Sequence, residues 1–162
     1  MSDTDQGSGA WKVEPGEYLA KRPADHALPK LPFSRYVTMR DGVRLAVDVY
    51  LPQGAPADTT FPTILVATPY YRRFRTAEGA TEYTPMAFRY RDAFVPRGYA
   101  MVVLDVRGTG ASFGARDSFR SPKEREDFRE IADWIVAQPW SNGSLGATGI
   151  SYPGAASVFL GG

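Results

Sequence analysis

The residues best suited to catalysis lie together near the end of the sequence, in the run Gly149-Ile150-Ser151-Tyr152-Pro153-Gly154. Small residues surround a single serine, at a point where a short apolar strand is predicted to turn sharply into a helix. Such an elbow lifts the serine hydroxyl above the sheet, where it can act as a nucleophile. The usual spacing is G-x-S-x-G, whereas here Pro153 takes the second glycine position and Gly154 follows one place later.

The chemistry that this serine would perform is acyl transfer. Its Oγ would attack an ester or amide carbonyl, giving a tetrahedral oxyanion and then an acyl-enzyme. Each donor that stabilises the oxyanion contributes about 3–4 kcal/mol of barrier lowering. The backbone N–H of Tyr152, at the positive end of the predicted helix, is one candidate donor. On these residues alone, an ordinary glycine-rich turn with a solvated serine remains an open alternative, because short motifs often occur by chance.

Composition predicts one ordered globular domain of nearly neutral charge. The chain has 162 residues, of which 43% are hydrophobic and 13% aromatic, enough for a domain with a core. Its 19 basic and 18 acidic residues leave a net charge of +1, so no strong field attracts nucleic acid or a membrane surface. The sequence has no cysteine, which excludes disulfides and cysteine-ligated metals. We expect no cofactor and no metal. A polar amino end without a secretory signal, and no apolar run near about 20 residues, predict a cytoplasmic protein.

The amino end is predicted to be an extension rather than part of the fold. Residues 1–34 contain prolines without apolar periodicity, a pattern that resists both helix and central strand. The lone histidine, His26, lies in this segment, and we expect it to be solvated rather than catalytic. The folded part is predicted over residues 35–162.

The folded part begins with two strands that form a hairpin. Alternating runs over Tyr36–Arg40 and Val43–Leu51 lie on either side of Asp41-Gly42, which is a strong hairpin signal. One face of the second run carries Val43, Leu45, Val47, Val49 and Leu51, whereas Arg44 and Asp48 point to the other. The pattern therefore predicts a ribbon with one buried face.

The elements that follow alternate between strand and helix. They are strand 63–67, helix 85–97 ended by Gly98, strand 99–106, a helix from the capping box Ser121-Pro122-Lys123-Glu124, and strand 144–148. This alternation predicts an α/β fold with parallel strands and flanking helices. In such sheets the chemistry collects at the carboxyl ends of the strands, which places Ser151 beside the segment 68–71 and the loop 105–114. We expect the glycine-rich part of that loop, residues 107–114, to be flexible.

Several motifs together resemble a known family of hydrolases. They are Met39-Arg40-Asp41-Gly42-Val43-Arg44-Leu45, Pro69-Tyr70, Asp105-Val106-Arg107-Gly108-Thr109-Gly110-Ala111-Ser112-Phe113-Gly114, Asp133-Trp134-Ile135, Gln138-Pro139-Trp140-Ser141-Asn142-Gly143 and the elbow. In this order, over residues 35–162, the sequence resembles the CocE/NonD-type family of cocaine esterase, α-amino acid ester hydrolases and Xaa-Pro dipeptidyl-peptidases. The elbow of that family reads G-x-S-Y-x-G, so Pro153 falls at its variable position and Gly154 is expected.

The resemblance implies an α/β-hydrolase fold, with residues 35–162 as the N-terminal portion of its catalytic domain. It also implies a serine hydrolase that acts on small-molecule esters, amides or short peptides, with Ser151 as nucleophile. The second oxyanion donor of the family is a tyrosine hydroxyl after the first core strand. Tyr70 matches that position and Tyr71 is the fallback, while a packed aromatic at the base of a loop is the alternative for Tyr70.

The rest of a catalytic triad is missing from the sequence. A nucleophilic serine needs a histidine base and an orienting carboxylate, which follow the serine in α/β-hydrolases. Residues 152–162 contain no His, Asp or Glu. We therefore expect an N-terminal fragment of a longer hydrolase, inactive by itself, whose truncated sheet leaves an unpaired strand edge that hinders folding. Ester and peptide substrates are not distinguished, and the oligomeric state is left open.

Two non-catalytic functions are weaker alternatives. The glycines of Arg107–Gly114 follow a strand, as in a dinucleotide-binding loop, but the third glycine is one place late and no helix opens there. The run Tyr70–Arg75 alternates aromatics and arginines, as in modules that bind single-stranded nucleic acid. The neutral net charge instead favours a solvated loop with structural arginines.

Overall fold

The computed structural model of the protein describes residues 13–83, 85–119 and 121–160. Within these residues the helices are α1 (Pro15–Ala20), α2 (Pro85–Phe94), α3 (Pro122–Val136) and α4 (Tyr152–Phe159), and a 3₁₀ turn (Val95–Arg97) follows α2. The strands are β1 (Phe33–Thr38), β2 (Arg44–Tyr50), β3 (Phe61–Thr68), β4 (Arg73–Arg75), β5 (Thr81–Tyr83), β6 (Ala100–Asp105) and β7 (Ser141–Ala147).

In the described part of the chain, five strands form one mixed sheet in the order β1-β2-β6-β3-β7. The pairs β1–β2 and β2–β6 are antiparallel, whereas β6, β3 and β7 run parallel. Helices α3 and α4 pack on one face, in a core with Phe128, Ile131 and Ile135. Helix α2 covers the other face, where Ala87 and Val95 meet Met101 and Val103 of β6. The prediction of parallel strands with helices on both faces is therefore confirmed.

The local signals in the sequence set most of the element boundaries. The Asp41-Gly42 turn joins β1 to β2, and Gly42 has the positive φ of 79° that this tight turn requires. Gly98 ends the 3₁₀ turn with a φ of 84°. The Ser121 side chain accepts a 3.2 Å hydrogen bond from the Glu124 N–H, which confirms the predicted cap of α3.

The prediction that β2 has one solvent-facing side is wrong. Residues 45–50 are buried on both faces, because Leu45, Val47 and Val49 join the core on one side of the sheet and Tyr50 joins the core on the other. Asp48 is fully buried and forms ion pairs with the Nε atoms of Arg72 at 3.0 Å and Arg73 at 2.8 Å. It also accepts a 2.6 Å hydrogen bond from the Ser34 hydroxyl. A buried carboxylate is tolerated here because several donors replace its water.

The segment predicted as an extension packs on the domain where it is described. Helix α1 forms within it, and β1 begins at Phe33, so the predicted boundary at residue 34 falls inside a strand. His26 is half-buried rather than solvated, and its backbone N–H donates to the Pro96 carbonyl at 3.1 Å. Its ring meets the edge of Phe61 with centroids 6.0 Å apart. The geometry gives His26 a packing role. Residues 1–12 of the predicted extension lie outside the described residues.

The loop 107–114 is tied to its surroundings, contrary to the prediction of a flexible loop. The Gly108 N–H donates to the Phe113 carbonyl at 3.1 Å, and the Phe113 N–H donates to the Arg44 carbonyl of β2 at 2.9 Å. The Arg107 guanidinium is buried and bonds the carboxylates of Asp127, at 2.6 Å, and Asp41, at 2.7 Å. These contacts fix both ends of the loop.

Two further features concern the margins of the sheet. Strand β7 pairs only with β3 among the described strands, and much of it is exposed. The segment after β3 contains a short hairpin of β4 and β5, which the sequence patterns did not predict.

Within the described residues, no helix combines the length and the apolar character needed to cross a lipid bilayer.

Candidate active site

Ser151 occupies a sharp bend between β7 and α4. Its backbone has φ 61° and ψ −122°, which is a strained conformation for a residue other than glycine. The side chain is exposed and makes no capping hydrogen bond to the helix. The Ser151 carbonyl instead accepts the first helical hydrogen bond, from the Ala155 N–H at 3.0 Å. The bend thus holds the hydroxyl clear of the backbone, as a nucleophile requires.

Two glycines make the bend possible because the chain touches itself on either side of the serine. A Cβ at Gly149 would lie 2.3 Å from the Pro153 Cβ and 2.7 Å from the Gly154 nitrogen. A Cβ at Gly154 would lie 2.8 Å from the Gly149 carbonyl oxygen. Such distances are far inside van der Waals contact. Residue 154 is therefore a glycine because its backbone lies against the Gly149 carbonyl and leaves no room for a Cβ.

Tyr152 fixes the start of α4 to the interior. Its ring is buried, and its hydroxyl donates a 2.8 Å hydrogen bond to Glu124 Oε2 on α3. The other carboxylate oxygen of Glu124 accepts from Arg116 Nε at 2.7 Å, and the Arg116 guanidinium lies 4.8 Å from the centre of the Tyr152 ring. Burial, and then the hydrogen bond to the Glu124 carboxylate, raise the pKa of Tyr152 well above its usual value. The phenol therefore stays protonated and acts as an anchor, while the Tyr152 backbone N–H lies at the amino end of α4.

Tyr70 follows β3, which is the strand beside β7 in the sheet. Strands β3 and β7 run parallel, so Tyr70 and Ser151 both follow strands that end at the same edge. Tyr70 is 54% exposed, so it is not the packed aromatic that was its alternative. Tyr71 has a left-handed φ of 65°. Both tyrosine candidates thus lie in a strained turn at the carboxyl ends of the parallel strands, where the elbow also lies.

Sequence patterns missed a cluster of charges beneath this turn. The Arg72 guanidinium bonds Asp105, the last residue of β6, and reaches Asp48 of β2 at 3.0 Å. Arg73 adds a second cation on Asp48. The cluster borders a cavity of about 370 Å³ that includes Tyr71. The available signal was a carboxylate directly after a continuous apolar run, at the carboxyl end of a predicted strand.

The same cluster argues against the two non-catalytic alternatives. The Ala111 N–H of the glycine-rich loop donates to the Asp105 carboxylate at 3.0 Å, so it is already satisfied by the protein. A Cβ at Gly110 would lie 2.3 Å from that carboxylate, which explains the glycine without a nucleotide. Two of the three arginines in the run Tyr70–Arg75, namely Arg72 and Arg73, are engaged by buried aspartates.

Comparison with known proteins agrees with this geometry. A family model described as X-Pro dipeptidyl-peptidase (S15 family) matches residues 41–161, and so includes the elbow and the tyrosine turn. The chain belongs to the S15 family. A Mycobacterium bovis relative named "putative serine esterase" is 47% identical over 135 residues, which cover 78% of this chain and 22% of that protein. The cocaine esterase of a Rhodococcus species is 39% identical over 118 residues, covering 73% of this chain and 19% of the esterase.

A solved structure supports the same fold. The crystal structure of a CocE/NonD family hydrolase from Staphylococcus aureus superposes with a TM-score of 0.66 at 28% identity, covering 78% of this chain and 24% of that one. The mixed sheet and its flanking helices are therefore those of an α/β-hydrolase. This S15 chain spans about a fifth of the length of the curated relatives that it matches.

Proposed function

We propose that this chain supplies the nucleophile and the oxyanion donors of a serine hydrolase that cleaves esters or amides through an acyl-enzyme on Ser151. One observation carries the proposal: an exposed serine, held at positive φ by two glycines in contact, at the carboxyl edge of the sheet. A strained backbone at an exposed serine is costly, and it persists where the surrounding structure over-determines it. The membership of the S15 family supports the same role.

Two groups are proposed as oxyanion donors. The first is the Tyr152 backbone N–H, at the amino end of α4 where the helix dipole favours negative charge. The second is the hydroxyl of Tyr70, which lies in the loop after the neighbouring strand β3. Tyr71 is the less favoured candidate. A neutral phenol is a suitable donor because it can hydrogen-bond the oxyanion without adding a charge of its own.

The histidine base and its carboxylate are proposed to come from outside this sequence. A serine hydroxyl alone is a weak nucleophile, and no His, Asp or Glu follows Ser151 here. This chain by itself should therefore hydrolyse substrate slowly or not at all. The names of the relatives, cocaine esterase and Xaa-Pro dipeptidyl-peptidase, favour small-molecule esters and short peptides with a penultimate proline as substrate classes.

Covalent labelling tests the proposal. A fluorophosphonate probe applied to the protein as its gene encodes it should attach to Ser151, located by peptide mass spectrometry, and Ser151→Ala should abolish the label. Ser144→Ala is the matched control, because Ser144 is an exposed serine on β7, the strand that precedes the elbow. It should label normally. Absence of labelling in the folded wild-type protein, or labelling that survives Ser151→Ala, would refute the assignment of the nucleophile.

A further inference from the structure

The turn that carries Tyr70 is held from both sides by buried side chains. The Tyr70 N–H donates to the Thr68 hydroxyl at 3.0 Å, and the Arg72 N–H donates to Asp105 Oδ1 at 2.6 Å. Tyr71 lies between these two bonds with its left-handed φ of 65°. Thr68 and Asp105 are paired residues at the ends of β3 and β6, and both are buried. The two peptide N–H groups that flank the strained residue are therefore both fixed to the sheet.

The donors around Asp105 require a carboxylate at this position. Besides the Arg72 N–H, its carboxylate accepts from the Arg72 guanidinium and from the Ala111 N–H at 3.0 Å. Gly110 packs directly against the carboxylate, since a Cβ there would lie 2.3 Å from Oδ2. An asparagine would turn an NH₂ group toward at least one of these donors. Only a side chain with two acceptor oxygens satisfies the turn.

The charges of the cluster balance without an external ion. The two buried aspartates, Asp48 and Asp105, face the two arginines Arg72 and Arg73. Each of the four charged side chains therefore lies against an opposite charge, and the cluster supports the turn. Tyr70 itself is exposed, so packing of its ring contributes little to its orientation.

We propose that Asp105 and Thr68 are positioning residues that set the direction of the Tyr70 hydroxyl toward the oxyanion formed at Ser151. The inference rests on the proposed role of Tyr70 as an oxyanion donor. Both side chains act through the backbone of the turn and touch no substrate. A displacement of about 1 Å in a catalytic group can cost about 10²-fold in rate, so the loss of either anchor should lower kcat more than it changes KM.

Two variants and one control test the inference in the protein as its gene encodes it, with 4-nitrophenyl acetate as substrate. Thr68→Val keeps the shape of the side chain and removes the acceptor for the Tyr70 N–H, and kcat should fall about 10-fold. Asp105→Asn should lower kcat about 10²-fold, with KM within about twofold for both variants. Thr63→Val is the matched control, because Thr63 is buried at the other end of β3 and its Oγ1 has no hydrogen-bond partner among the described residues. Its kcat should equal that of the wild type.

Each substitution is then repeated in a Tyr70→Phe background. If Thr68 and Asp105 act through the Tyr70 hydroxyl, both should change kcat by less than about twofold once that hydroxyl is gone. Effects that persist at full size in Tyr70→Phe, or a Tyr70→Phe protein with wild-type kcat, overturn the inference. If circular dichroism shows that Asp105→Asn does not fold, the inference is tested by Thr68→Val alone. Its effect on kcat is then compared between the wild-type and the Tyr70→Phe backgrounds.

Labelling of Ser151 separates this inference from the proposed function. A wild-type protein that no fluorophosphonate labels refutes the hydrolase assignment itself. Normal labelling of Ser151 combined with additive effects on kcat refutes the positioning role alone.

Discussion

The left-handed backbone of Ser151 stores strain that a glycine at this position should release. Its φ of 61° and ψ of −122° cost a non-glycine residue about 1–3 kcal/mol. Ser151→Ala removes the hydroxyl and keeps the strain, whereas Ser151→Gly removes both. The difference in unfolding free energy between the two variants therefore isolates the backbone contribution.

The expected size of this difference follows from two opposing effects. Relief of strain favours glycine by about 1–3 kcal/mol, while the greater freedom of glycine in the unfolded chain opposes it by about 0.5–1 kcal/mol relative to alanine. With the middle of each range, Ser151→Gly should thus be more stable than Ser151→Ala by about 1 kcal/mol.

Urea unfolding followed by circular dichroism measures the difference directly, provided that the slopes of the two transitions agree. The pair Ser157→Ala and Ser157→Gly is the control, since Ser157 lies in α4 and both changes remove the same 2.6 Å hydrogen bond from its hydroxyl to the Gly154 carbonyl. There alanine should be the more stable by about 0.5–1 kcal/mol. The sign of the comparison should therefore reverse between the two serines. A Ser151→Gly protein no more stable than Ser151→Ala would refute the argument from strain.

Two further changes test the support of the elbow. Gly149→Ala should lower the free energy of unfolding by about 3 kcal/mol, because its Cβ would meet the Pro153 Cβ at 2.3 Å. Gly146→Ala is the control, because a Cβ there would have its nearest atom at 3.6 Å, and its stability should stay within about 0.5 kcal/mol of the wild type. Equal urea midpoints for Gly149→Ala and Gly146→Ala would contradict the close approach of the chain at Gly149. Tyr152→Phe should cost about 1.5–3 kcal/mol by removing the 2.8 Å hydrogen bond to the buried Glu124 carboxylate, and an unchanged midpoint would show that this bond does not hold α4.

The parts of the fold that were predictable from the sequence are those that local signals determine. The turn at Asp41-Gly42, the cap at Ser121 and the stop at Gly98 each depend on a few neighbouring residues. The apolar runs likewise predicted the buried strands β3 and β6. In each case the backbone requirement and the residue that satisfies it lie in the same short segment.

Other features could not be predicted because their partners lie far along the chain. Alternation in β2 assigned Asp48 to a solvated face, but the arginines that bury it follow a different strand. Glycines suggested a flexible loop at 107–114, whereas Asp127 of α3 holds Arg107 in place. Helix α1 was missed because the prolines around it outweighed its short helical run.

In the candidate site, too, the features set by neighbouring residues were predictable and those set by distant contacts were not. The elbow at Ser151 was visible in the sequence because its glycines and serine are adjacent. The choice of Tyr70 came from the resemblance to a family and remains a prediction. Thr68 and Asp105 were missed as supports, because their contacts to the turn involve backbone N–H groups that a sequence does not display.

The contact between Gly149 and Gly154 also matters for how such nucleophiles are recognised in other genomes. A sequence motif of the form G-x-S-x-G does not match this elbow, because Pro153 occupies the position of its second glycine. The defining feature of this elbow is the close approach of two backbone segments across the bend. A geometric query for a serine at positive φ between two glycines that have no room for a Cβ would retrieve it.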